Sequence, residues 1–403
     1  MHVIRDPAHF PFLGNAVVTS GTFDGVHLGH QRILARLREV ADAAGGPAVV
    51  ITYWPHPRLV LGPPPAHPEL LELQLLNTLD ERIARLASFG VDYLLIVPFT
   101  REFAQWTSEE YIQELLLKTV GARQLVIGYD HRFGRNREGG FEYLSQHAAR
   151  YGLSVEEIRR EDVDAVGVSS TRIRQALRQG DAATAARYLG YAYPLTGTVA
   201  HGQKLGRTIG YPTANLVPTE PLKLVPGRGI YAVWATTAAG TRHPAMLSIG
   251  VRPTVGAGLA QTIEVNLLDF SGDLYDQELT LEFVAWLRAE EKYDGLDALK
   301  AQLALDAEHT RAALAKSMKG HTTIYQAIDE ILWKHWDPIG INDDTEARNE
   351  YYSYIPAIFN LKINNAGTEQ IAERLFEIEQ ERMGLSGNLE HCRKVAQKIV
   401  NLQ

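Results

Sequence analysis

The residues best suited to chemistry lie in the stretch Gly21-Thr22-Phe23-Asp24-Gly25-Val26-His27-Leu28-Gly29-His30. His27 and His30 are three apart, so at a helix start they face the same way. Glycines on either side let backbone approach a ligand closely. Free N–H groups at the first turn of a helix favour an anion. Two imidazoles beside an anion site point to phosphate chemistry rather than phosphate storage. No further His, Cys or carboxylate has zinc-ligand spacing to this pair. A second set of phosphate-suited side chains is Ser169-Ser170-Thr171-Arg172-Ile173-Arg174. Hydroxyls can cap a helix, but capping leaves both arginines unexplained, and a guanidinium fork suits a polyphosphate. Trp54-Pro55-His56-Pro57 and Gly128-Tyr129-Asp130-His131-Arg132-Phe133-Gly134 are loop-like and rich in polar and aromatic groups. Farther on, Gly202 to Asn215 contains glycines, Lys204, Arg207, Thr213 and Asn215, without the Gly-Lys-Ser/Thr ending of a Walker loop. Glu264 sits in the strand-like run Thr262–Leu267 and by composition alone would be an ordinary solvated carboxylate.

The elements that must position these groups fall into blocks. Apolar runs at Ala16–Thr19, Ala48–Tyr53, Tyr93–Val97, Leu125–Ile127 and Leu153–Ile158 predict strands. Amphipathic stretches between them, such as Leu79–Phe89 and Glu109–Val120, predict helices. That alternation argues a Rossmann-like parallel sheet covered on both faces. Ligands of such sheets bind beyond the carboxyl ends of the strands, where the histidine stretch lies. From Pro194 to Phe283 the segments are short, β-rich and separated by glycine and proline turns, which suggests a small antiparallel barrel. A helix over roughly Leu296–Ala315 follows. Composition changes again at Lys316–His321, and Thr322–Trp336, Tyr351–Ile363, Thr368–Met383 and Leu389–Leu402 read as helices. The expected domains are therefore 1–190, α/β; 191–316, β-barrel; and 320–403, all-α.

With 403 residues, several domains are expected. The 45% hydrophobic composition and the lack of a long apolar run argue a globular protein without a membrane span. One cysteine, Cys392, excludes a disulfide framework and a cysteine zinc site within the chain. No secretion signal opens the sequence, and a cytoplasmic location is expected. A net charge of −8 argues against a nucleic-acid partner.

Taken together and in order, these motifs make residues 1–316 resemble the bacterial bifunctional riboflavin kinase and FAD synthetase family. Supporting the likeness are Gly229-Ile230-Tyr231-Ala232-Val233, Ser248 to Thr254, Asp273-Leu274-Tyr275 and Leu287 to Tyr293. The resemblance implies an α/β nucleotidyltransferase module that makes FAD from FMN and ATP, and a barrel kinase module that makes FMN from riboflavin and ATP. It implies that His27 and His30 stabilise adenylyl transfer. Gly21, Phe23, Asp24, Gly29, Ser170, Thr171 and Arg174 would bind ATP and its phosphates there. His56 and Asp130 would shape the flavin pocket. In the kinase module Gly206, Thr213 and Asn215 would hold ATP, with Thr213 and Asn215 placing Mg²⁺. Glu264 would be the general base on the riboflavin 5′-hydroxyl, and Arg288 would cover the flavin. His131 and Val255 depart from the family pattern, standing where aromatic side chains are more usual. Residues 320–403 are similar to a small helical bacterial family without a known activity, read as an interaction or regulatory module with a protein partner. Beside this reading stand a kinase with a degenerate adenylyltransferase module, and a flavin-sensing regulator acting through the tail.

Overall fold

The computed structural model describes residues 1–62, 73–158, 168–201, 210–253, 259–342, 347, 350–351, 354–363 and 366–402. Gly206 and Val255 lie outside them. The chain forms two compact units, Met1–Gln175 with Glu220–Val225, and Ala176–Thr219 with Pro226–Gln403.

The first unit is built on six parallel strands: β1 (His2–Ile4), β2 (Ala16–Ser20), β3 (Ala48–Trp54), β4 (Tyr93–Pro98), β5 (Ala122–Gly128) and β6 (Ser154–Ile158). Their order is β1-β4-β3-β2-β5-β6. Strand side chains alternate between faces, and the two cores divide accordingly. Ala16, Val18, Val49, Ile51, Leu95 and Val97 pack with the helical segment Tyr111–Val120. Val17, Val50, Leu94 and Ile96 pack with α1 (Leu28–Ala44) and with Leu86 of a helix over Leu79–Ala87. The chain runs from β2 outward through β3 to β4, then returns to the other side of β2 at β5. The switch point is thus between β2 and β5, and a crevice opens beyond their carboxyl ends. β1 is an addition to the sequence-based expectation; three residues are too few to show a period.

The second unit contains a closed barrel of antiparallel strands: β7 (Tyr193–Ala200), β8 (Ala214–Pro218), β9 (Gly229–Thr237), β10 (Arg242–Pro253), β11 (Leu259–Leu267) and β12 (Glu278–Arg288), in the order β10-β11-β8-β7-β12-β9. Leu195, Tyr231, Val233, Leu247, Val265, Leu281 and Phe283 are buried. A helix over Leu296–Ile331 packs on the barrel, where Ala307 meets Met246 and Leu268. The expected break near Gly320 is absent, because that helix is continuous. One interior glycine costs only about 1 kcal/mol relative to alanine, and no proline interrupts the run. The far end of the same helix supplies Ile328 to the helical tail, whose core also holds Trp336, Tyr351, Ile371, Leu375, Val395 and Ile399.

Inside the tail core is a carboxylate, Glu379, only 2% exposed. It accepts from the Trp336 indole at 2.7 Å, the Asn388 backbone N–H at 2.8 Å and the Cys392 thiol at 3.2 Å. Burial, with Glu379 as its neighbour, pushes the Cys392 thiol up to about 12, so it stays protonated and donates. These three donors share one acceptor side chain. Glu379→Ala is expected to cost about 2 kcal/mol by orphaning the indole N–H. Amide hydrogen exchange in the Leu389–Val400 helix should then speed up roughly thirtyfold; unchanged exchange would contradict the assignment.

Candidate active sites

At the end of β2 the chain turns through a tightly wound loop. Phe23, Gly25 and Val26 all have positive φ, at 48°, 87° and 33°. For a β-branched residue such as Val26 this is a strained conformation, of a kind often found at functional sites. It persists because Phe23 and Val26 are buried and the Gln31 amide donates to the Val26 carbonyl at 2.9 Å.

His27 is the N-cap of α1, and its Nδ1 accepts the His30 backbone N–H at 3.3 Å. That bond leaves the neutral ring's proton on Nε2. The rings of His27 and His30 stack at 3.7 Å with an interplanar angle of 14°. Burial lowers the His27 pKa to about 4, with Asp24 opposing and Arg174 assisting. Burial, His27 and Arg82 hold His30 well below the ordinary imidazole value. Both rings are therefore neutral near pH 7 and act as hydrogen-bonding groups, not as cations.

Asp24, 2% exposed, is the anchor of the loop. Its carboxylate accepts the N–H of Leu76 at 3.0 Å and of Asn77 at 3.1 Å. It also pairs with the Arg174 guanidinium, and Arg82 lies 3.9 Å away. Arg174 donates through Nε to the Gln74 carbonyl at 2.7 Å. Ser170 Oγ donates to the Asp24 carbonyl at 2.9 Å. The motif expected to hold phosphate thus also fastens its helix start to the loop. Asp24 directs its charge into the protein.

These groups line a cleft of about 720 Å³, a volume suited to a sizeable small molecule. Gly21, Phe23, Asp24, His27, Gly29, His30, His56, Asp130, Ser170, Thr171 and Arg174 all contribute to its wall. His56 caps a short helix, its Nδ1 accepting the Arg58 N–H at 3.1 Å, and burial lowers its pKa to about 4. Asp130 is exposed beyond β5. Part of the wall is aromatic, with Phe99, Phe103, Trp106, Tyr111 and Phe133. The run Phe99-Thr100-Arg101-Glu102-Phe103 after β4 was the available signal for these rings. His131, also in the wall, shares a 2.8 Å hydrogen bond between Nε2 and Ser20 Oγ, and burial lowers its pKa to about 4. Ser20 and Arg82 have no motif of their own in the sequence.

The second site is a rung of the barrel. Register pairs Asn215 with Glu264 and Glu264 with Ser248. Directly paired residues share a face, and Glu264 alternates with buried Ile263 and Val265, so this face is turned from the barrel core. Thr213 Oγ1 donates to Glu264 Oε2 at 3.3 Å. Asn266 Nδ2 donates to the Pro212 carbonyl at 2.7 Å and pins the approach to Thr213. A Cβ on Gly250 would fall 2.2 Å from the Glu290 carboxylate, so a larger residue there would have to displace that side chain. Arg288 continues the rung through Ile230. Its Nε and Nη2 grip buried Asp306 at 2.8 and 2.6 Å.

Comparison with known proteins finds a family model for each of two successive stretches of the chain. The FAD synthetase family model covers residues 10–172, and the riboflavin kinase model covers residues 189–314. The bifunctional riboflavin kinase/FMN adenylyltransferase of Pseudomonas fluorescens is 38% identical over 301 residues, covering 75% of this chain and 94% of that protein. The Escherichia coli K12 protein of the same description is 38% identical over 292 residues, 72% of this chain and 90% of its own. A solved structure from Streptococcus pneumoniae, described as a macrolide-efflux protein, superposes with a TM-score of 0.69 at 32% identity, covering 77% of this chain and 98% of that one. The chain belongs to the bifunctional riboflavin kinase/FMN adenylyltransferase family: an enzyme that phosphorylates riboflavin to FMN and adenylylates FMN to FAD.

Proposed function

We propose that the cleft of the first unit carries adenylyl transfer and that the Thr213–Asn215–Glu264 rung carries riboflavin phosphorylation. The observation that most supports the first assignment is the stacked pair of neutral imidazoles at the start of α1. In adenylyl transfer an FMN phosphate oxygen attacks the α-phosphorus of ATP and pyrophosphate leaves. Negative charge grows on the oxygens around that phosphorus. His27 offers Nε2–H, and His30 lies against it; preorganised donors at a helix N-terminus stabilise such charge without reorganisation. Ser170, Thr171, Arg174 and the Gly21–Gly29 loop receive the nucleotide, with Asp24 holding that loop and Arg174 in place. Phe23 lines the same wall. The aromatic side of the cleft, with His56 and Asp130 at its rim, suits a flat conjugated ring.

In the barrel, Glu264 accepts the proton of the riboflavin 5′-hydroxyl as that oxygen attacks the γ-phosphorus of ATP and ADP departs. Gly206 is assigned to the ATP site with Thr213 and Asn215, and Arg288 to the flavin. Hydroxyl, amide and nearby carboxylate oxygens are the hard donors that Mg²⁺ accepts alongside substrate phosphates, so Thr213 and Asn215 fit as its protein contacts. When bound, Mg²⁺ supplies charge neutralisation on the transferring phosphate.

The adenylyltransferase is assigned to residues 1–190, the kinase to 191–316, and a protein-interaction role to 320–403. Residues 320–403 have a closed core, and nothing in that core suggests a reaction. A single buried thiol and the absence, among the described residues, of a helix able to cross a membrane support a cytoplasmic setting. The acidic net charge supports small-molecule rather than nucleic-acid ligands.

His30→Ala is expected to lower FAD formation roughly 10²- to 10³-fold while riboflavin still becomes FMN. Glu264→Ala should abolish FMN formation and leave FAD formation from supplied FMN. Chromatography decides both, with riboflavin, ATP and Mg²⁺ supplied to His30→Ala and FMN, ATP and Mg²⁺ supplied to Glu264→Ala; loss of FMN in the first or of FAD in the second would overturn the two-site assignment. A separate expectation concerns pH. His27, His56 and His131 fall from 6.5 to about 4 on folding. Between those values the unfolded chain binds more protons, so stability is full above 6.5 and lost as pH falls toward 4. The calorimetric unfolding temperature should drop between about pH 7.5 and about pH 5, and drop less in His131→Gln, which keeps an acceptor or donor for Ser20. An equal drop in the variant would remove His131 from the account.

A further inference from the structure

We propose that Lys223 is a positioning residue for adenylyl transfer. The role rests on the assignment of the first cleft to that reaction. Lys223 belongs by sequence to the stretch between β8 and β9, but Glu220–Val225 is part of the first unit. The side chain is 2% exposed. A lysine is rarely buried unless its charge is paired, and here the pairing has a specific target. Nζ donates to the Leu76 carbonyl at 2.7 Å and pairs with the Glu81 carboxylate. Beside it, the Leu75 N–H donates to the Leu222 carbonyl at 2.7 Å, and the Leu224 N–H to the Leu75 carbonyl at 2.9 Å.

Four consecutive residues are therefore fixed between this segment and the active-site loop. Gln74 gives its carbonyl to Arg174. Leu75 pairs with the segment on both sides of Lys223. Leu76 gives its N–H to Asp24 and its carbonyl to Lys223. Asn77 gives its N–H to Asp24 and its amide to Glu81 at 3.3 Å. Glu81 closes the set by accepting the Thr78 N–H at 3.0 Å in a capping box. One peptide unit, Leu76, thus connects Lys223 directly to the carboxylate that holds Arg174 and, through its carbonyl, Ser170. Those two residues face the ATP phosphates in the proposed site. Loss of Lys223 frees Leu76 and leaves Glu81 an unneutralised charge, and the displacement passes to Asp24 and Arg174. It does not pass to the aromatic side of the cleft.

The full-length Lys223→Met protein is the test. Its KM for ATP in FAD formation should rise about tenfold or more, as for other residues that orient a contacting group. The KM for FMN and the kinase reaction's KM for ATP should stay at wild-type values. Glu81→Gln, a shape-conserving change at a partly exposed site, should shift the same constant in the same direction. The double variant should be no worse than Lys223→Met alone, because both act through one link. A fall in kcat with the KM for ATP unchanged would mark a purely structural role and overturn the proposal. So would a KM for ATP within twofold of wild type in both single variants, or an equal rise for FMN. Wild-type protein that makes FMN but no FAD would instead refute the assignment of the cleft.

Discussion

The first unit depends on a single buried negative charge. Burying a carboxylate is costly unless its lone pairs and charge are met. Asp24 is met by two backbone N–H groups, the Arg174 guanidinium and, at longer range, Arg82. The partners come from two separate parts of the chain, Leu76 to Arg82 and Arg174. Satisfying the charge therefore requires those parts to converge, and their convergence forms one wall of the cleft. The same anchor explains how a loop with Phe23 and Val26 in left-handed conformations is tolerated: strain of this kind persists only where surroundings over-determine it. Once the loop is held, His27 falls at the N-cap of α1 and His30 at its third position, stacked on it.

That placement decides the charge state of the histidines, and the charge state decides their chemistry. Two exposed imidazoles would titrate near 6.5. Stacked face to face and shielded from water, both disfavour a proton mainly through burial; His27 and Arg82 add to the effect at His30, and Arg174 adds to it at His27. A permanently neutral pair holds fixed N–H donors at physiological pH. Such donors match a phosphorus centre whose charge grows only during reaction, because their interaction strengthens in the transition state more than in the ground state. A cationic pair would bind the polyanion tightly before reaction and gain less at the summit.

How much of this was legible in the sequence follows from the range of the interactions involved. The long strands and α1 announce themselves, since periodicity is a local property. So does His27–His30, a three-residue spacing whose consequence is local geometry. β1 and β8 are too short to carry a period, and their strand character comes from partners elsewhere. Lys316–His321 read as a boundary because its composition changes, which is a local property, whereas one helix runs through it. Glu379 looked like any acid on a helix; only the indole of Trp336, forty-three positions earlier, makes it structural. The pairing of Lys223 with Glu81 spans 142 residues, and no local pattern could predict it. Asp24 and Arg174 each stood out in a sequence motif, yet their bond to each other, across 150 positions, did not.

The barrel solves the same positioning problem by different means. Glu264 is an unremarkable acid along its own strand, flanked by Ile263 and Val265, which face inward. Its surroundings are set by register: β8 on one side brings Asn215, and β10 on the other brings Ser248. Closure leaves these strands no edge along which to slip, and a slip of one residue would turn Glu264 into the core. A buried apolar interior thus enforces the polar rung outside it, because a one-residue shift of register would bury a charge. In the first unit a charge is deliberately buried and its partners define the cleft; in the barrel, the prohibition on burying one defines the site. The two folds therefore hold their polar groups in opposite ways. The first cleft is sensitive to the loss of any distant partner of Asp24, whereas the Glu264 rung is protected by the apolar pairs of the barrel.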